Sequence, residues 1–331
     1  MRFRNLTLML ILCFCGRGLV PSVSAQDTPP SLYRDAIRRL VDEVYNEGRI
    51  GAVDELFAAT YTRHPDATDR DGFKRNILAL RAAMPDLEAQ SLLLIVEENS
   101  AALHLSIRGT FVADMVFPDS VPIPATNQPI ALIVSSVFVF NEQGQIDIEW
   151  TAFDNLSFLA AIGLLEPVAS WNAPDEAFTP AASSATIQAS EMIARYYQAM
   201  NAGDFGFIQE QLLDGFVSYN PFGDFDREGY VGDWWSLREA LSGFTIAVEM
   251  TVAEGDWVAA ACTLQGTFDR VFRLADGSSV PPTGGRIELT LVTFHQFDEQ
   301  GRLRQIRELY DGYSLLAQIK LVPDQPPVNP Q

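Results

Sequence analysis

Asn141-Glu-Gln-Gly144-Gln-Ile-Asp-Ile-Glu-Trp-Thr-Ala-Phe-Asp154-Asn-Leu-Ser-Phe-Leu-Ala-Ala-Ile-Gly-Leu-Leu165 reads as a turn, a strand, an aspartate and a short helix. The Asn-x-x-Gly segment is a hairpin connection, residues 145–153 form a β-rich run, and residues 156–162 carry apolar side chains at helical spacing. The same order returns near the end of the chain, from Asp298-Glu-Gln-Gly301 through Glu308-Leu-Tyr-Asp311 to a closing run that ends at Pro323. The two turns stand 157 residues apart.

Working outward, further pairs fall on that register. Arg70-Asp-Gly-Phe73 answers Arg227-Glu-Gly-Tyr230, and Arg108-Gly-Thr-Phe111 answers Gln265-Gly-Thr-Phe268, both at an offset of 157. Asn46-Glu-Gly-Arg49 answers Asn201-Ala-Gly-Asp204 at 155. A shared offset over such distances is the mark of a duplicated unit. The copies span residues 31–166 and 188–323, each an ordinary domain size. Between them, residues 167–187 are rich in Pro, Ala and Ser and read as a linker; residues 324–331, with several prolines, read as a disordered tail.

Within the first copy, Tyr33, Ile37, Leu40, Val41, Val44 and Tyr45 recur at helical spacing up to Gly48. A short helix then holds Val53, Leu56 and Phe57, and a third covers about 71–83. Strands are expected at 92–96, 102–112, 130–140 and 145–153. Helices first and an antiparallel sheet afterwards is an α+β pattern, unlike the strand-helix alternation of a parallel sheet.

Composition narrows the partners. The 331 residues include 23 Lys and Arg against 43 Asp and Glu, a net charge of −20. Neutralising phosphates takes clustered cations, so nucleic acid is excluded as a partner. Residues 1–26 open with two arginines, Arg2 and Arg4, followed by an apolar run over residues 6–15 and Val23-Ser-Ala25, the pattern of a cleavable signal peptide. Cleavage after Ala25 predicts a secreted, periplasmic or otherwise extracytoplasmic protein; the apolar run is about half the roughly 20 residues a spanning helix needs, which makes a permanent anchor the weaker reading. The mature chain would keep only Cys262, which leaves no internal disulfide and no cysteine-based metal site. Its three histidines, His64, His104 and His295, lack ligand spacing, so no metal is expected. Of Trp234, Trp235 and Trp257, core packing is the stronger expectation over stacking on a flat ligand.

The ending quoted above, Glu-Trp, three residues, Asp and a helix finishing in Leu-Leu, together with the Gly-Thr-Phe strand and the Asn-x-Gly turn, resembles the SnoaL-like polyketide cyclases of the nuclear transport factor 2-like fold. The resemblance covers both copies. It implies two tandem cone-shaped domains, each with N-terminal helices packed on a curved antiparallel sheet around a pocket for a small apolar or carbonyl-containing ligand. It also implies cofactor-free aldol-type ring closure on an ester or carbonyl substrate, with an aspartate after the last strand as acid/base. By motif match those residues are Asp154 and Asp311. A carboxylate that merely caps the closing helix is the alternative at both positions.

The remaining candidates follow from the same match and, for His104, Arg108 and His295, from alternation along their strands. Tyr61-Thr-Arg-His64-Pro65 is similar to the family's Tyr-x-x-His rim, which places Tyr61 and His64 at the pocket; Trp150 would shape it. Phe111 and Phe268 stand where family members often carry a pocket histidine. His104 and Arg108 share one face of a strand. If that face is concave they bind a ligand, and if convex they are solvated. His295 is expected in the core or the pocket wall. Two functions stay open: a cofactor-free cyclase or isomerase, and a non-catalytic binding or interaction module. The two copies are also expected to pair internally as a pseudo-dimer.

Overall fold

In the computed structural model, residues 30–116, 122–166, 177–181, 186–274 and 277–324 are described. The proposed leader, most of the linker and the tail beyond residue 324 lie outside the described residues.

The first copy opens with α1 (Pro30–Arg39), which winds on as a π-helical stretch, Leu40–Asn46. After α2 (Ala52–Leu56) come β1 (Phe57–His64) and the short β2 (Thr68–Asp69), then α3 (Arg70–Ala83). Strands β3 (Glu88–Glu97), β4 (Ser100–Thr110), β5 (Pro129–Phe140) and β6 (Ile146–Phe153) lead into α4 (Asn155–Ala161). The second copy repeats this as α5 (Thr186–Ala202), α6 (Phe205–Gln211), β7 (Leu212–Asn220), β8 (Gly223–Asp226) and α7 (Arg227–Ala240). It continues with β9 (Leu241–Glu254), β10 (Trp257–Phe268), a small ribbon of β11 (Phe272–Arg273) and β12 (Ser279–Val280), β13 (Gly285–Phe297), β14 (Leu303–Leu309) and α8 (Gly312–Gln318).

Each copy forms a six-stranded sheet, in the order β2-β1-β6-β5-β4-β3 and β8-β7-β14-β13-β10-β9. The α+β class and the tandem arrangement agree with the sequence, but the sheets are mixed. β1 runs parallel to β6, and β7 parallel to β14. The sequence reading put Phe57 on a helix and assigned no strand to the Tyr61–His64 segment; both lie on β1. Phe57 does continue the spacing of Val53 and Leu56, and a parallel strand arrives by a crossover with no hairpin turn to mark it.

The repeated motifs each hold one joint of the fold. Asn46 exchanges two hydrogen bonds with the backbone of Ala89 on β3, and Asn201 does the same with Ile246 on β9. Gly48 and Gly203 adopt left-handed φ values of 70° and 75°, with the side chains of Arg81 and Arg238 packed against them. Asp69 and Asp226 cap α3 and α7 by accepting from Gly72 N and Gly229 N. Gly109 and Gly266 let Met84 and Leu241 approach to where a Cβ would sit.

β4 is buried along almost its whole length because both faces are covered. Ala101, Leu103, Leu105 and Ile107 face the helices of their own copy. Ala102 and His104 face the other way, towards the second sheet, where Leu92, Ile95 and Val137 meet Trp257, Ala259, Ala261 and Phe294 in one apolar layer. Polar ties bridge the same junction with pseudo-twofold symmetry. Glu254 accepts from Val96 N at 2.8 Å, and Glu97, its counterpart at the 157 offset, accepts from Ala253 N at 2.7 Å. Glu254 also pairs with Arg34 at 2.5 Å.

Candidate functional site

Between the helices and the sheet of the first copy lies a cavity of about 420 Å³. Its walls are apolar over much of their extent, with Phe73, Ile77 and Leu80 from α3, Leu132 and Val134 from β5, and Phe158 from α4. Glu149, Thr151 and Phe153 line it from one face of β6, as strand alternation requires. Two residues of the second copy, Thr290 and Asp311, complete its wall.

Glu149 is the buried charge in this cavity, 4% exposed. It accepts from Tyr61 Oη at 2.5 Å and from Ser136 Oγ at 2.8 Å. Burial pushes its carboxyl above the usual range, opposed by Arg63 and by the hydrogen bonds from Tyr61 and Ser136. Arg63 pairs directly with Glu149 across the β1–β6 ladder, also lines the cavity, and is held by Asp66 at 2.5 Å. Tyr45 brings a phenol whose ionisation is pushed up by burial and by the nearby Glu149, so it remains a donor. A carboxylate with a raised proton affinity, flanked by a guanidinium and a phenol in an apolar chamber, is equipped to move a proton at a carbon atom next to a carbonyl.

The sequence-predicted residues divide. Tyr61 belongs to the site, as the donor that fixes Glu149. Asp311 lines the cavity, but that of the other copy. Asp154 is not among the lining residues: it caps α4, accepting from Leu156 N at 3.1 Å, from Ser157 N at 2.9 Å and from Ser157 Oγ, and it accepts from Gly312 N of the second copy at 2.9 Å. Burial raises its proton affinity, yet both oxygens are taken. The capping alternative describes it.

Trp150 and His64 do not line the cavity either. Trp150 alternates with Glu149 and so emerges on the opposite face, against the interdomain layer, with the His64 ring stacked on it at 5.6 Å. His104 is buried at the junction, hydrogen-bonded to Ser135 Oγ at 2.8 Å and edge-on to Phe294 of the second copy; desolvation lowers it to about 3. Arg108 is exposed. Phe111 packs on Phe158 in the first core, and Phe268 lies in the second. His295 is enclosed by Tyr196 and Tyr197, lowered by burial to about 3, and serves the core.

The second copy's corresponding space is about 20 Å³. At the 157 offset Trp234 replaces Ile77, Leu291 replaces Val134 and Glu308 replaces Thr151, and these larger side chains fill it. Glu308 accepts from Tyr230 Oη at 2.9 Å, and burial pushes it up to about 8; Asp233 nearby is pushed up to about 6. Trp235 is exposed, and Trp257 belongs to the interdomain layer. Among the described residues, no group of three or more His, Cys, Asp or Glu side chains is placed to hold a metal ion, and no helix is long and apolar enough to cross a membrane.

Sequence reasoning passed over Tyr45, Arg63, Ser136 and Glu149. The signal for Glu149 was present: a glutamate at the middle of the strand, two residues from Thr151 on the same face.

A helix-closed cone with an internal cavity is the architecture of the nuclear transport factor 2-like fold. The sequence model of the SnoaL-like polyketide cyclase family matches residues 35–162 and 190–319, so the chain belongs to that family, in two tandem copies. No curated protein matches it. Among solved structures it is similar to TsrD from Streptomyces laurentii, at 20% identity over 41% of this chain and 97% of that one, with a TM-score of 0.37. It is also similar to IdmH from Streptomyces antibioticus, at 29% identity over 40% and 97%, with a TM-score of 0.34. A SnoaL-like polyketide cyclase from Agrobacterium tumefaciens matches at 16% identity over 40% and 98%, with a TM-score of 0.33.

Proposed function

We propose that the first copy is a cofactor-free cyclase or isomerase acting on a small carbonyl or ester compound, with Glu149 as the proton-transferring carboxylate in place of Asp154. The observation that carries this reading is an apolar cavity with a buried, tyrosine-bound glutamate in its wall. Glu149 removes a proton from the carbon next to a carbonyl, and the electron pair of that C–H bond passes into the enolate. The enolate oxygen is stabilised by Arg63 and the Tyr45 hydroxyl. In ring closure the enolate carbon bonds to a second carbonyl carbon of the same molecule. The oxygen formed there takes the proton back from Glu149.

The second copy, with its space filled, is a non-catalytic module in this reading. Its sheet pairs with that of the first copy as an internal pseudo-dimer, the two units being residues 31–166 and 188–323. The leader supports export; amino-terminal sequencing of protein recovered outside the cytoplasm checks cleavage after Ala25.

The test is proton exchange in D2O, followed by NMR, with a panel of aryl methyl ketones and β-keto esters. Wild-type protein is expected to catalyse exchange at the carbon next to the carbonyl for at least one of them. The rate should rise with pH through the raised pKa of Glu149, because the ionised form is the base. Glu149→Gln should reduce it at least 100-fold. Exchange that survives in Glu149→Gln and is lost in Asp154→Asn would reverse the assignment.

A further inference from the structure

The first cavity is not walled by the first copy alone. Phe153 lies four residues beyond Glu149 on β6, which at about 3.3 Å per residue places it roughly 13 Å further along. Just past it, Asn155 also lines the cavity, and its Nδ2 donates to Asp311 Oδ2 at 2.7 Å. Asp311 is half-buried, and its other oxygen caps α8 through Ser314 N at 3.1 Å. A carboxylate has about four acceptor positions, so two accepted bonds leave acceptor capacity on a residue that lines the chamber. Arg63 does not neutralise this end, since its contact with Asp66 holds the guanidinium at the Glu149 end.

We propose that the cavity is a composite site in which the second copy supplies the specificity-determining residue, Asp311, selecting ligands whose end remote from Glu149 carries a hydroxyl or ammonium donor and rejecting those with a carboxylate there. The orientation of the ligand, carbonyl towards Glu149 and donor towards Asp311, rests on the reading above; the selection itself does not require catalysis. The second copy is thereby part of the binding site although its own cavity is closed.

A matched pair of naphthyl ketones tests this: 6-hydroxy-2-acetonaphthone and 6-acetyl-2-naphthoate, titrated against the full chain by fluorescence. Wild-type protein is expected to bind the hydroxy ketone at least 10-fold more tightly. Asp311→Asn retains a capping oxygen but no charge, and Asp311→Ser retains the cap with a shorter side chain; both should bring the ratio to within about twofold, with the melting temperature confirming the fold. A ratio unchanged in both variants overturns the proposal, as does failure of the wild type to bind either ketone. Absence of hydrogen exchange in wild-type protein that still discriminates would sink the acid/base reading and leave the composite site standing.

Discussion

Asp154 and Glu149 are both buried carboxylates with raised proton affinity, and what separates them is where their lone pairs are spent. Asp154 holds two α4 backbone amides, the Ser157 hydroxyl and an amide of the other copy. Glu149 holds two hydroxyls and faces open space. Asp154→Ala should therefore cost about 1–2 kcal/mol in denaturant unfolding, the worth of a lost cap and a buried bond, whereas Asp154→Asn should cost less and leave hydrogen exchange near the wild-type rate. The position after the last strand was legible because Asp before a helix is a local pattern. Its function was not, since a cap and a base present the same letter in a sequence. Glu149 could be found only by choosing between the two faces of β6, and the adjacent Trp150 drew attention to the wrong one.

Among elements, α3 and α7 show how the same frame yields an open and a closed chamber. Both are capped by aspartate and carry the same motif, but Ile77 on α3 becomes Trp234 on α7. Ile77→Trp is expected to weaken binding of the hydroxy naphthyl ketone by about 10-fold or more. The melting temperature should stay within a few degrees, because the ring enters free space at the cavity wall and not a filled core. Binding at the wild-type level would show that the ligand sits elsewhere. The helices, hairpins and antiparallel strands were readable from periodicity and turn residues. β1 and β7 were not: they join the sheet in parallel and follow their helices without a break in apolar spacing.

For the molecule as a whole, the junction ties the copies through equivalent groups with unequal loads. Glu254 accepts from Val96 N and also binds Arg34, while Glu97 accepts from Ala253 N. Calorimetry should show a larger loss of stability for Glu254→Ala than for Glu97→Ala, each on the order of 1–3 kcal/mol. Equal losses would mean that the Arg34 contact contributes nothing. The duplication was plain in the 157-residue register, but which faces meet was not, because the outer face of β4 carries Ser100, His104, Ser106 and Arg108 and reads as one open to solvent. In a symmetric pair of identical chains, any change that shuts one chamber shuts the other, since a single codon specifies both. Here positions 77 and 234 are inherited separately. One half has been able to give up its interior while keeping Asp311 where its neighbour can use it.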